Sequence, residues 1–285
     1  TGSYGFTSFD DQFQLGATYM LIDDEYEASD YYIPGINTMR LTVAHEFFHA
    51  IQRAYRPYPS GNTTFLYEMS STWIEDVIVP DGNDYLYWVD DFFNDSDKDI
   101  DDTDGYSIAL FGHYLSSFLD TNGSENVTNS TIIREMWESF GSNAFSAISS
   151  TLEDNYNTPF IEAWVDFISR NLFNGMYEDM DNPFYYYIDQ ALIEPIQIYS
   201  QTLEDNASII LSIDNKSAAI QSFHIDDGTL LDIYHSSDEY LGRISIVSTS
   251  DNNDIFWGID TSSLELSSNS KIHFIYGSEN TLTSV

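Results

Sequence analysis

The sequence predicts an α+β protein, mainly helical over its first two thirds and all-β beyond about residue 195, arranged as two domains spanning 1–195 and 196–285. Three observations carry this expectation. Apolar residues recur at 3–4 spacing in six windows before residue 175, which is how one face of a helix is lined. After Pro195 the pattern changes to short β-branched or aromatic runs separated by Asp, Asn, Ser and Gly, as strands joined by turns require. Finally, 285 residues with 42% apolar and 16% aromatic content supply a substantial core.

Residues 15–22 read as a short strand closed by Asp23-Asp24. Pro34-Gly35 breaks the chain ahead of Asn37 or Thr38, either of which suits the cap of a helix running to about Tyr55 and stopped by Pro57. Leu41, Phe48 and Tyr55 form one stripe of that helix and Val43, Phe47, Ala50 and Ala54 another, so it is expected to be buried nearly all round. A second helix, 64–79, places Leu66, Met69, Trp73 and Val77 on its core face and ends at Pro80-Asp81-Gly82.

Past an acidic stretch, helical patterns recur near 105–119, 131–140, 143–154 and 159–173, the last opened by Thr158-Pro159. The polar tract 120–131 between two of them reads as an exposed loop. Six strand-like runs follow, at 208–213, 219–225, 230–234, 243–247, 255–259 and 272–276, a pattern that predicts a small β-sandwich.

With 47 acidic and 9 basic residues the formal charge is −38, which excludes a basic face for nucleic acid and disfavours anionic membranes. The same field favours cationic ligands at low salt. No apolar stretch approaches the roughly 20 residues of a membrane span, so membrane insertion is not expected. Cysteine is absent, so any metal must be held by His, carboxylates or water. Seven Asn-x-Ser/Thr sequons, scarce Lys and many hydroxyl residues suggest a secreted, extracellular protein whose leader, if it had one, precedes Thr1.

The segment His45-Glu46-Phe47-Phe48-His49 is an HExxH motif on the first predicted helix. It sets two imidazoles one turn apart with a carboxylate beside them, a zinc-hydrolase signature in which Glu46 takes a proton from water. Two ligands do not complete a catalytic site. Glu68, with 18 residues between it and His49, is the expected third, and Glu75, seven positions after Glu68 on the same helical face, is placed to orient a histidine.

This spacing resembles that of the gluzincin metallopeptidases, specifically their aminopeptidase branch. The flanks Ala44-His-Glu-Phe-Phe-His-Ala-Ile-Gln52 and Trp73-Ile-Glu-Asp76 are similar to a group of exported metalloproteases with a helical gluzincin-like domain and trailing β-structure. The resemblance covers roughly residues 15–120. It implies a catalytic Zn2+ on His45, His49 and Glu68, with Glu46 as general base. It also implies that Tyr106, heading Tyr106-Ser-Ile-Ala109-Leu-Phe, stabilises the oxyanion. His113, seven residues later on the same predicted helical face, is the runner-up for that role.

The pattern departs from the family in two places. Thr72 replaces the Asp of the thermolysin-like branch, and the strand Gly16-Ala-Thr-Tyr-Met20 lacks the glutamate with which aminopeptidases of the other branch hold a free amino terminus. The expectation is therefore a secreted zinc peptidase acting on peptide or protein substrates, endopeptidase ahead of aminopeptidase. The alternative is an inactive zinc-binding surface or adhesion protein. The run from Asp95 to Asp104 alternates carboxylates as Ca2+ loops do. Ile100 stands where an EF-hand needs Gly and no Glu closes the loop, so a solvated acidic loop is preferred to a Ca2+ site.

Overall fold

The computed structural model describes residues 4–9, 18–26, 31–57, 61–141, 143–175, 185–196, 199–202, 216–225, 242–249, 255–258 and 270–278. The chain divides into two compact units, Thr1–Phe92 with Asp101–Asn157, and Phe93–Ile100 with Thr158–Val285. No helix among the described residues is long and apolar enough to cross a membrane.

The first unit is mainly helical, with one antiparallel hairpin of β1, Gly5–Phe9, and β2, Thr18–Ile22, paired from Gly5↔Ile22 to Phe9↔Thr18. β2 is the strand expected at 15–22, and its Tyr19, Met20, Leu21 and Ile22 are exposed. β1 lies against α1, Ile36–Tyr55, so closely that a Cβ on Gly5 would stand 2.8 Å from Thr42 Cγ2. α1 begins two residues before its expected side-chain cap. Gly35 turns the chain with φ 104°, a left-handed value that suits glycine, and its N–H donates to Tyr26 O at 2.6 Å. The helix ends at Arg56, which is extended because Pro57 follows.

The expectation that α1 is buried on all sides does not hold. Leu41, Ala44, His45, Glu46 and Gln52 are buried, whereas Phe47, Ile51 and Tyr55 are exposed. The buried face is therefore the one carrying the polar groups.

α2, Thr64–Ile78, is the central helix and packs on α1 and on α4, Ala109–His113. Its Phe65, Leu66, Met69 and Trp73 are buried. The crossing with α4 is tight, since a Cβ on Gly112 would meet Trp73 Cβ at 3.0 Å, and Trp73 Nε1 donates to Ser116 Oγ at 2.9 Å. Helix α3, Leu86–Phe93, was not anticipated. A 3₁₀ turn, Tyr106–Ile108, precedes α4, and a π-helical stretch, Tyr114–Leu119, follows it. α5, Ile132–Ser139, and α6, Ala144–Tyr156, pack together and fall on the expected windows. α6 is capped by Asn143, whose side chain accepts from the Ser146 N–H.

In the second unit, α7, Phe160–Arg170, packs with strands of a five-stranded sheet. The strands are β3, Tyr199–Thr202; β4, Ser217–Ile225; β5, Gly242–Thr249; β6, Ile255–Gly258; and β7, Ser270–Ser278. Their order is β3-β4-β7-β5-β6, with β3 parallel to β4 and the other pairs antiparallel. Gly277 permits the approach of the helix, because a Cβ there would lie 2.7 Å from Ile161 Cδ1 and 2.8 Å from Val165 Cγ2. Four of the six expected runs are strands β4 to β7, while 208–213 and 230–234 lie outside the described residues. Among the described residues the strands of this unit form one sheet, with α7 packed on it.

Candidate metal centre

The 3.6-residue repeat of α1 turns His45 and His49 toward α2, and the same repeat on α2 returns Glu68 and Glu75 to the facing side. His45 Nε2 lies 3.2 Å from Glu68 Oε2, and His49 Nε2 lies 3.4 Å from the same oxygen. Ligands at zinc distances of about 2.0–2.2 Å around a tetrahedron stand about 3.3 Å apart, so both separations from Glu68 suit such an ion, and the three donor atoms lie within 4.8 Å of one another. Among the described residues it is the one group of three His, Asp or Glu side chains close enough to share a metal. The run from Asp95 to Asp104 contributes to no such group. Its Asp99 lies 3.6 Å from Lys216 Nζ, its Asp104 accepts from the Ser107 N–H and hydroxyl, and its Ile100 is buried.

The other ring nitrogens are also held. Glu75 Oε1 sits 2.5 Å from His45 Nδ1, and Gln52 Oε1 sits 2.7 Å from His49 Nδ1, with Ser71 Oγ at 3.1 Å. Gln52 is itself fixed, since its Nε2 donates to Tyr67 O, Ser70 Oγ and Ser71 Oγ. With a carboxylate and an amide oxygen accepting at Nδ1, the tautomer is set and each Nε2 faces Glu68.

Burial opposes charge on His45, but Glu68 and Glu75 outweigh it and raise its proton affinity, to a pKa of about 10. Glu68 is held well below the usual carboxylate range: burial works against this, and the two imidazoles prevail. Glu75 is pushed up, chiefly by burial. Behind it, Asp84 is pushed up to about 7, first by burial and then by the charge of Glu75.

His45, His49 and Glu68 open into a cleft of about 230 Å³ lined also by Gly5, Phe6 and Thr7 of β1, by Glu46 and Arg53 of α1, and by Tyr67 and Tyr106. Thr7 Oγ1 donates to Glu46 Oε2 at 2.7 Å and is also within reach of Glu46 O at 2.8 Å. Tyr106 stacks on His45, with ring centroids 5.7 Å apart and planes 2° apart, and packs on Trp88 from its other neighbours. Its phenol hydrogen-bonds Glu68, and burial followed by the Glu68 charge keeps it protonated far above neutral pH. Gly105 makes this placement possible. It has φ 93°, and a Cβ there would fall 2.4 Å from Phe65 O and 2.8 Å from Glu68 Cβ.

His45, Glu46, His49, Glu68 and Tyr106 are thus brought to one cleft, with Glu75 behind His45. His113 is not. It is fully buried, 3.9 Å from Asp76 Oδ2 and against the Tyr85 ring, and burial lowers its pKa to about 3. The 3₁₀ turn between Tyr106 and α4 breaks the helical register on which a shared face depended. The cleft strand also differs from expectation: β1 lines it, whereas Thr18, Tyr19 and Met20 of β2 do not. Thr7, Gln52, Arg53 and Ser71 were not foreseen as site residues. Of these, Gln52 and Arg53 carried a sequence signal, lying at i+3 and i+4 from His49 on the motif's own face.

The chain matches no family model, no curated protein and no solved structure.

Proposed function

We propose that this chain is an exported zinc metallopeptidase of gluzincin type that hydrolyses peptide bonds, with endopeptidase favoured over aminopeptidase action. The observation that carries the reading is the convergence of His45 Nε2, His49 Nε2 and Glu68 Oε2 beside the Glu46 carboxylate in one cleft. Zinc held by those three residues would supply Lewis acidity toward a peptide carbonyl and acidify water near neutral pH. Every other role belongs to the chain's own groups.

Thr7 fixes one oxygen of Glu46. Glu46 then takes a proton from water and later returns one to the leaving nitrogen. Glu75 and Gln52 hold the two imidazoles so that neither ring swings during turnover. The Tyr106 phenol, kept protonated, would turn its single O–H from Glu68 to the oxygen on which charge develops. Among the described cleft-lining residues the carboxylates are Glu46 and Glu68, both engaged, so none is spare to hold a substrate ammonium. That supports the endopeptidase preference. The second unit, whose described strands form one sheet with α7 packed on it, is assigned the role of an accessory domain for substrate or surface attachment.

Metal analysis with a casein assay of wild type against Glu46→Gln tests the reading. One equivalent of zinc in both, with cleavage falling at least a hundredfold in the variant, is expected on the scale of losing a general base. Zinc at one equivalent without Glu46-dependent cleavage would replace the peptidase with a zinc-binding surface or adhesion protein.

A further inference from the structure

We propose that β2 is a self-association edge, on which a second copy of this chain adds its own β2 in antiparallel register to make one four-stranded sheet, β1-β2-β2-β1. Among the described residues the hairpin is a two-stranded sheet, so β2 pairs with β1 on one side and with no strand on the other. A two-stranded ribbon is marginal by itself, and an apolar, exposed edge strand is a template for further pairing. β2 is such a strand: Tyr19, Met20, Leu21 and Ile22 are all exposed, although successive side chains point to opposite faces. Phe6, directly across from Leu21, extends one of those faces, its ring 6.5 Å from that of Tyr19. The residues that commonly protect an edge are missing, since neither strand holds a charge or a proline in a chain of which 20% is charged.

Charge also selects where and in which direction two copies meet. At a net charge of −38 they repel at long range, which favours contact where carboxylates are absent. Asp23 and Asp24 follow β2 directly. Parallel pairing would set these acids beside their counterparts, whereas antiparallel pairing centred on Met20 sends the two Asp23 residues to opposite ends. They then stand roughly 20 Å apart at about 3.3 Å per residue, beyond a Debye length of about 8 Å in physiological salt. That register engages all five residues of the strand: Met20 faces Met20, Tyr19 faces Leu21 and Thr18 faces Ile22 of the second copy. A two-fold axis relates the strands, so the contact closes at a dimer. β1, which lines the metal cleft, stays at the outer edge of each half.

Phe6, Tyr19, Met20, Leu21 and Ile22 are 37–52% exposed, which offers roughly 400 Å² of apolar side chain per copy at about 200 Å² for a whole side chain. Two copies together fall short of the standard interface of about 1,600 Å², so a reversible dimer is expected, with a Kd of about 1–100 μM. Because repulsion opposes the apolar pairing, the dimer should tighten as salt is raised.

The test is sedimentation velocity of the whole chain from about 1 to 300 μM, at low salt and at about 0.5 M. A monomer–dimer equilibrium that shifts toward dimer at high salt is expected. Its Kd should rise about tenfold or more in Tyr19→Lys and in Leu21→Lys, whereas Ile188→Lys, an exposed position on the second unit, leaves it unchanged. The chain has no cysteine, which gives a second arm that does not depend on the lysine variants folding. Met20→Cys should oxidise to a disulfide-linked dimer, and Thr18→Cys mixed with Ile22→Cys to a mixed one. Facing residues of an antiparallel pair stand about 4.5–5.5 Å apart at Cα, within reach of a disulfide. Ile188→Cys should stay monomeric. A monomer at every concentration and salt overturns the inference, as does a dimer that both lysine variants leave intact or a cross-link that forms as readily at Ile188 as at Met20. Every arm reads mass, so none depends on the peptidase reading.

Discussion

Asp84→Asn is expected to stabilise the protein, and to do so more at alkaline than at mildly acidic pH. Asp84 is 5% exposed, and its Oδ1 finds no hydrogen-bond partner among the described residues. Burial, then the neighbouring Glu75 charge, pushes its pKa from 3.8 to about 7, against the pull of the Ile33 backbone N–H. A carboxyl whose folded pKa is raised binds its proton more tightly folded than unfolded. Its contribution is therefore most favourable below about pH 4 and is lost as pH rises toward 7.

At about 1.36 kcal/mol per pKa unit, the ionisable side chain costs roughly 1.5 kcal/mol at about pH 5 and roughly 4 kcal/mol at about pH 8. Asparagine does not titrate, can keep the Ile33 bond through its oxygen, and directs an N–H toward the acidic surroundings. The variant should therefore gain roughly 2–3 kcal/mol on wild type between those two pH values, with relaxation and water entry trimming the figure. Urea unfolding followed by circular dichroism, with EDTA and separately with zinc, measures it above the isoelectric point near 4.1. A stability difference that stays constant between the two pH values would refute the reasoning, whatever its sign.

Two further outcomes follow from the same geometry. Glu75→Gln removes the charged partner of His45 Nδ1, and zinc affinity should fall about 10–100-fold in a chelator competition, whereas unchanged affinity would mean the 2.5 Å contact does not orient the ring. Gly105→Ala forces a Cβ to within 2.4 Å of Phe65 O at a φ of 93°, so thermal unfolding should show a loss of about 2–4 kcal/mol; a melting temperature equal to wild type would contradict that close approach.

What could be read from the sequence is what repeats locally. The 3.6 period of residues 36–55 and 64–78 is long and capped by Pro or Gly signals, and it carries the motif, so the helices, the His45–His49 pair and the seven-residue step from Glu68 to Glu75 were all legible. α3 escaped because eight residues, two of them Asp90 and Asp91, give too few turns to display a period. β1 escaped because Gly5-Phe-Thr-Ser-Phe9 lacks the β-branched alternation that marked β4, β5 and β7. Thr7 and Asp84 are harder cases. Thr7 meets Glu46 across 39 residues, and Asp84 acquires its perturbed acidity only from Glu75 and from burial, neither of which leaves a local pattern. His113 shows the converse failure, a correct helical spacing rule applied across a 3₁₀ turn that the sequence did not announce.

The missed and the legible residues share one arrangement, and it bears on why the polar face of α1 is the buried one. From the cleft inward the groups run Glu68, His45, Glu75, Asp84, acid and base and then two acids, the first three in contact and Asp84 feeling the charge of Glu75. A protein gains little from burying such a line for its own sake, because desolvating charges costs more than their pairing returns unless something further compensates. The apolar residues of the same helix, Phe47, Ile51 and Tyr55, are left exposed instead. A cation at the outer end of the line, as proposed, would supply the missing compensation: it would neutralise Glu68 and take the Nε2 that otherwise holds a proton on His45. Binding only the folded chain, it would also stabilise it by mass action. The zinc reading thus accounts both for which face of α1 faces inward and for the carboxylates stacked behind His45.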